Sequence, residues 1–135
     1  MTDESFEPLR RAAEAIRRSG DYRWVGIYAV DADEIRALAW TGDAPAHPRF
    51  PRDRGLCGAA AAQQRTVVAD DVRTDPRYLT TFGDTRSEIV VPIERDGEVV
   101  GLIDVESDQL AAFGSAARAA LERHAFDLAL SWRRR

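Results

Sequence analysis

Apolar positions along the chain follow two periods, and the switches between them mark out the elements. Phe6, Leu9, Ala13 and Ile16 recur at steps of three and four, which predicts an amphipathic opening helix capped at Ser5 and ended at Gly20. From Arg23 to Val30 the period becomes two. Trp24, Gly26, Tyr28 and Val30 face one way and Val25, Ile27 and Ala29 the other, as in a strand. Asp31 to Glu34 is polar turn material, and Ile35 to Trp40 alternates again, giving a hairpin partner. Thr41 to Arg54 holds Pro45, Pro48 and Pro51, which predicts a loop with a short edge strand near Phe50. Gly55-Leu56-Cys57-Gly58 and the alanines after it predict a short helix able to sit close against a sheet. Thr66 to Val68 reads as a short strand, and Ala69 to Arg86 as a second loop of a length that often carries function. Glu88 to Ile93 and Glu98 to Val105 flank Asp96-Gly97, the dipeptide of a tight hairpin turn. Leu110, Phe113, Ala117, Ala120, Leu121, His124 and Leu128 form a closing helical stripe. Arg133-Arg134-Arg135 then faces the negative end of that helix's dipole.

Strands adjoin strands without βαβ alternation, so the fold class is α+β with a mainly antiparallel sheet. The first and last helices cover one face, and the two loops and the short helix roof the other. A sheet floor under a loop roof outlines a pocket for a small molecule. The length of 135 residues, 44% apolar and 31% charged, suits a single domain over 1–135. No apolar run approaches the roughly 20 residues that cross a bilayer and no secretion signal stands out, so a cytoplasmic protein without membrane contact is expected. All 19 basic residues are Arg, and they intermix with 23 carboxylates for a net charge of −4, so no nucleic-acid-binding stripe emerges. A lone Cys57 excludes an internal disulfide and a cysteine-rich zinc site. His47 and His124 lie far apart, so neither a metal nor another cofactor is expected.

Five blocks carry a family resemblance: Arg23-Trp24-Val25-Gly26-Ile27-Tyr28, Gly55-Leu56-Cys57-Gly58, Asp70-Asp71-Val72, Ser87-Glu88-Ile89-Val90-Val91-Pro92-Ile93, and Gly101-Leu102-Ile103-Asp104-Val105-Glu106-Ser107. In this order, between about Trp24 and Phe113, they resemble the GAF domain and within it the free methionine-(R)-sulfoxide reductase branch. The resemblance implies a GAF-like six-stranded antiparallel sheet, back helices that often form a homodimer, and a ligand cavity under the front loops. It also implies substrate-holding roles for Trp24, Tyr28, Glu88 and Asp104, with Glu106 where the family usually has a second Asp. Three cysteine positions recur in that branch, and they fall here on His47, Cys57 and Thr81. The last is the family's nucleophile and the first a resolving partner. Sulfoxide reduction needs a thiolate to attack sulfur and a second thiol to release the sulfenic acid as a disulfide. Thr81 has no such oxidation chemistry and stays only as a candidate ligand-binding residue.

Spacing adds partial support. Trp24 and Tyr28 share a face of one strand and Asp104 and Glu106 a face of another, and an aromatic wall opposite paired carboxylates suits a cationic amine. Asp104 also interrupts the apolar run Val99 to Val105, where an uncompensated carboxylate is costly. The acidic groups would take an ammonium and the backbone N–H groups near Ile89 a carboxylate, so a free amino acid fits as guest. A two-residue Asp96-Gly97 loop sets Glu88 opposite Val105, on the other face from Asp104, unless a bulge or an extra loop residue reverses the parity. Cys57 stands near a helix start, where the dipole lowers a thiol pKa, or else is a small buried apolar residue. Three functions follow. The first is a non-catalytic module that binds an amino acid or similar metabolite and signals through a separate partner. The second is a reductase that uses Cys57 with external thiols. The third is a ligand-free dimerisation scaffold formed by the stripes of the first and last helices. The chain has neither Asn nor Lys, so it lacks the cyclic-nucleotide Asn-Lys-Phe-Asp-Glu set, and no bilin-attachment cysteine sits in a fitting context.

Overall fold

The alternating run 24–30 and the two-residue turn after Arg95 together organise a sheet that is apolar on both faces. A computed structural model of the protein describes residues 6–133. In chain order the elements are α1 (Glu7–Gly20), β1 (Trp24–Val30), β2 (Glu34–Trp40), β3 (Arg49–Pro51), α2 (Gly55–Gln63), β4 (Val67–Ala69), β5 (Ser87–Arg95), β6 (Glu98–Ser107) and α3 (Ser115–Leu130). The six strands form one sheet in the order β3-β2-β1-β6-β5-β4, and every neighbouring pair is antiparallel. This is the α+β architecture with a six-stranded antiparallel sheet expected from the sequence. A short 3-10 turn, Val72–Thr74, interrupts the second loop, with the Asp71 side chain accepting from the Arg73 N–H.

The faces divide as the period of two requires. Val25, Ile27, Ile89, Val91, Ile103 and Val105 meet Leu9, Ala13 and Ile16 of α1 and Leu121 and Ala125 of α3 on the back. On the front Tyr28, Val90 and Leu102 pack under Leu56, Cys57, Ala60 and Ala61 of α2. Among the described residues no helix is long and apolar enough to cross a membrane.

Several boundaries differ from the sequence expectation. The proposed cap Ser5 lies outside the described residues. Asp21 rather than Gly20 takes the left-handed conformation that ends α1, at φ 52, with its N–H on the Arg17 carbonyl. In the closing stripe Leu121 is buried, but Ala120 is exposed and Leu110, in the loop before α3, is 54% exposed; Ala125 takes the buried position one turn on. Arg134 and Arg135 lie outside the described residues, and α3 stops at Leu130, short of the tail. A cation that does meet its C-terminal end is Arg95 from the β5–β6 hairpin, whose Nη1 donates to the Ala129 and Trp132 carbonyls at 3.3 and 2.7 Å.

The most consequential difference is register. Asp96 and Gly97 both take positive φ, 55 and 79, as the tight turn requires, and Arg95 pairs with Glu98 and Glu94 with Val99. A bulge then shifts the ladder, so that Ile93 pairs with Gly101 and Val100 is the extra residue. From there to Ser87 every partner is displaced by one. Glu88 faces Glu106 rather than Val105, and it lies on the same sheet face as Asp104.

The packing predicts a contrast between two leucines. Leu121→Ala should lower unfolding free energy by about 2–5 kcal/mol because it opens a cavity between α3 and the sheet. Leu110→Ala should stay within about 0.5 kcal/mol. Urea denaturation of the two variants checks this.

Candidate functional site

On the front face, three polar positions on β5 and β6 and two aromatic ones on β1 collect where alternation alone would leave apolar side chains. Gly26 separates Trp24 from Tyr28 on β1. A Cβ there would lie 2.3 Å from the Trp24 ring and 3.0 Å from that of Tyr28, so glycine is what lets both rings close over the strand. Their centroids are 6.5 Å apart, Phe82 packs on Trp24 at 5.4 Å, and Phe50 meets Tyr28 edge-on at 6.0 Å. The Trp24 indole N–H donates to the Asp43 carbonyl at 2.9 Å, which ties the first roof loop to β1.

The bulge at Val100 turns a pair of acids into a trio. One carboxylate oxygen from each of Glu88, Asp104 and Glu106 lies within 4.8 Å of the others. The three residues are 5%, 3% and 0% exposed. Burial penalises each charge, and acids directly opposite one another across a ladder repel. Burial, with the charge on Asp104 second, raises Glu88 well above the ordinary carboxylate range. Burial raises Asp104 to about 6, against a hydrogen bond with Glu88 that holds it down. Burial and then Asp104 raise Glu106 to about 8, opposed by the Thr81 and Thr85 hydroxyls and by Arg23. The trio therefore titrates as a unit.

Glu106 Oε1 accepts from Thr81 Oγ1 at 2.5 Å and from Thr85 Oγ1 at 2.7 Å, so the second roof loop hangs on it. Asp104 Oδ1 and Glu106 Oε2 are buried and have no hydrogen-bond partner among the described residues. Orphaned buried acceptors are costly, and here they are oxygens able to accept from an ammonium or to ligate a hard cation. Above them is a cavity of about 30 Å³, lined by Tyr28, His47, Phe50, Gly55, Leu56, Cys57, Leu79, Thr81, Glu88 and Asp104. That is room for about two water molecules.

Of the residues expected at the site, Tyr28, Thr81, Glu88 and Asp104 reach the cavity wall. Trp24 stands behind Tyr28, and Glu106 lies beneath Thr81 and Thr85. The Ile89 side chain is in the back-face core; the expectation rested on backbone N–H groups near it, and Ile89 itself sits between Val68 and Val105 in the ladders. Cys57 does reach the cavity, but the helix start does not lower its pKa. Burial, then the charges on Asp104, Glu88 and Glu106, push the thiol well above its ordinary value. His47 Nε2 lies 3.1 Å from the Thr80 carbonyl and so joins the two roof loops. His124 is on α3, behind the sheet. Leu79 and Thr85 come from a loop where no periodicity tells which way a side chain faces. Phe50 and Leu56 carry only the apolar signal of any core residue.

The family model described as GAF domain matches residues 7–132. The chain is 33% identical over 105 residues to "GAF domain-containing protein A" of Dictyostelium discoideum, covering 78% of this chain and 66% of that protein. It is 33% identical over 107 residues to the "Free methionine-R-sulfoxide reductase" of Saccharomyces cerevisiae, covering 76% of this chain and 59% of the other. The chain thus spans less than two thirds of these two relatives. Among solved structures it is similar to the type II free methionine-R-sulfoxide reductase of Thermoplasma acidophilum, with a TM-score of 0.89, 32% identity, and coverage of 93% of this chain and 90% of that one.

The raised carboxyl pKa values set the pH dependence of stability. The folded protein keeps protons that the unfolded chain releases near pH 4, so stability should fall as pH rises through about 6 and about 8. Thermal unfolding from pH 4.5 to 8.5 should show a declining Tm. Glu106→Gln should flatten that decline and raise Tm at pH 8.5.

Proposed function

The chain belongs to the GAF domain family and is related to free methionine-R-sulfoxide reductases; from that premise we propose that its front chamber binds a small molecule with an ammonium group, such as a free amino acid, in a sensing role and without reducing it. The observation that carries this reading is the pair of buried, partnerless oxygens on Asp104 and Glu106, the first of them in a residue that shares the cavity wall with Tyr28. An ammonium supplies three donors and the positive charge that the acids lack, and an aromatic face adds cation–π attraction. Glu88, Asp104 and Glu106 hold the cation, Tyr28 forms the aromatic wall with Trp24 packed against it, and Thr81 sets the orientation of Glu106.

A cavity of about 30 Å³ does not accommodate an amino acid, so binding must lift the roof. The roof is anchored inside by the Thr81 and Thr85 hydroxyls on Glu106 and by the Trp24 indole on the Asp43 carbonyl, while its outer ties are slight: the His47–Thr80 contact and the Arg23 guanidinium, 2.9 Å from Asp84, 4.0 Å from Asp43 and 4.7 Å above the Phe82 ring. Exposed pairs of this kind contribute about 0–1 kcal/mol each. Guest binding therefore couples to the conformation of both loops, and this is the change a partner protein would read. Exposed Phe126 and Leu130 on α3 support the homodimer expected from the sequence.

Catalysis is where the reading departs from the reductases. The position that the resemblance gives to the nucleophile is Thr81, and the one thiol in the chamber, Cys57, is held protonated. The reductase alternative keeps one supporting fact, that Cys57 lines the cavity.

L-methionine, its sulfoxide and other amino acids should raise Tm, by about 2.7 kcal/mol of stabilisation at a hundredfold excess over Kd. Asp104→Asn should abolish the shift, and a panel without any shift would contradict the reading. With dithiothreitol or thioredoxin the protein should not consume methionine sulfoxide. Turnover that Cys57→Ser removes would establish the reductase instead.

A further inference from the structure

The front chamber has room for an ion where it has none for an amino acid, and the acids at its floor supply the ligands. Glu88 and Glu106 face each other across the β5–β6 ladder, and Asp104 is two residues along β6. Their oxygens lie within 4.8 Å of one another. An ion with oxygen ligands at about 2.3–2.6 Å can bridge that spacing without either strand moving. Asp104 lines the cavity and is 3% exposed, and its Oδ1 has no partner among the described residues; Glu106, fully buried, offers Oε2 in the same condition. Both are buried acceptors with no donor among the described residues, the condition in which a carboxylate oxygen is free to ligate a cation. The cavity of about 30 Å³ adds space for about two water molecules to complete a shell.

We propose that, in the guest-free protein, Glu88, Asp104 and Glu106 hold a hard divalent cation of the Ca²⁺ type at the base of the front chamber. The atoms within 4.8 Å of one another are carboxylate oxygens alone, and neither the Cys57 sulfur nor a His47 nitrogen, both on the cavity wall, belongs to that group. The ligands are these oxygens, with the Thr81 hydroxyl beside Glu106 as a neutral oxygen. His47, the imidazole on the cavity wall, is turned to the Thr80 carbonyl. Such an all-oxygen set favours Ca²⁺, Mn²⁺ or Mg²⁺ over Zn²⁺. Of these, Mg²⁺ needs ligands at about 2.0–2.1 Å in near-ideal octahedral geometry and keeps several waters, which a chamber of this size does not provide. A divalent ion also offsets two of the three charges, where an ammonium offsets one. Cation and amino acid then compete for the same oxygens, and release of the ion accompanies opening of the roof. Only this competition rests on the ammonium reading of the chamber; the ion site does not.

The test is isothermal titration of the whole chain with CaCl₂ after chelation, with Mn²⁺ electron paramagnetic resonance as a second reading. One ion per chain should bind, with a Tm rise of roughly 5–10 °C at a hundredfold excess over Kd. Asp104→Asn preserves side-chain shape and removes a buried charge; it should weaken binding at least tenfold. Glu106→Gln decides the same point if the first variant does not fold. Absence of saturable Ca²⁺ and Mn²⁺ uptake up to millimolar concentration would overturn the proposal, as would uptake unchanged in these variants, which would assign it to surface acids. A parallel titration with L-methionine in chelator separates the two claims. Stabilisation by methionine without Ca²⁺ binding overturns the ion site alone. Ca²⁺ binding without a response to methionine overturns the ammonium reading alone.

Discussion

Mutual repulsion among three buried carboxyl groups is the constraint around which the front of this molecule is arranged. Glu88, Asp104 and Glu106 are nearly or fully buried, and their oxygens crowd within 4.8 Å. In that setting ionisation is penalised twice, by lost solvation and by like charge. The protein offsets part of the cost with two hydroxyls on Glu106 and a hydrogen bond between Glu88 and Asp104, and it leaves two oxygens without partners. A fold under selection for stability alone would fill this patch with apolar side chains, as it does on the back face, where Ile89, Ile103 and Val105 occupy the alternating positions.

The constraint depends on a single inserted residue. Without the bulge at Val100, Glu88 would turn toward the helices and the front would hold two acids rather than three. The same acids reach outward through the roof. Thr81 and Thr85 suspend the second loop from Glu106, and Trp24 anchors the first through the Asp43 carbonyl. The charge state of the floor and the position of the loops are therefore linked through direct hydrogen bonds. Cys57 belongs to this balance too, because burial and then the acids that shape the chamber suppress its thiolate.

Much of the fold is legible in the residue pattern. Alternation in β1 sorts Trp24 and Tyr28 to the front, and Asp96-Gly97 marks the hairpin turn, because both effects act over a few neighbouring residues. Asp104 is conspicuous as an acid inside an apolar run. The face of Glu88 is not legible, since Gly101 allows a bulge in Val99-Val100-Gly101 without fixing that one occurs there. Helix ends blur for a similar reason: Asp21 closes α1 with Gly20 still inside the helix, and Arg95 reaches the end of α3 from a distant hairpin. The loop residues Leu79 and Thr85 carry no periodic signal, and Ile89 resembles a binding-site neighbour in sequence while facing the opposite core.

The central claim is that the acidic trio is held largely protonated until a cation reaches it. Side-chain carboxyl ¹³C shifts of Glu88, Asp104 and Glu106, followed against pH with and without an amino-acid guest, test it most directly. Midpoints for Glu106 and Glu88 well above the ordinary carboxylate range, falling when the guest is added, are the predicted result. Three midpoints near 4, indifferent to the guest, would contradict it.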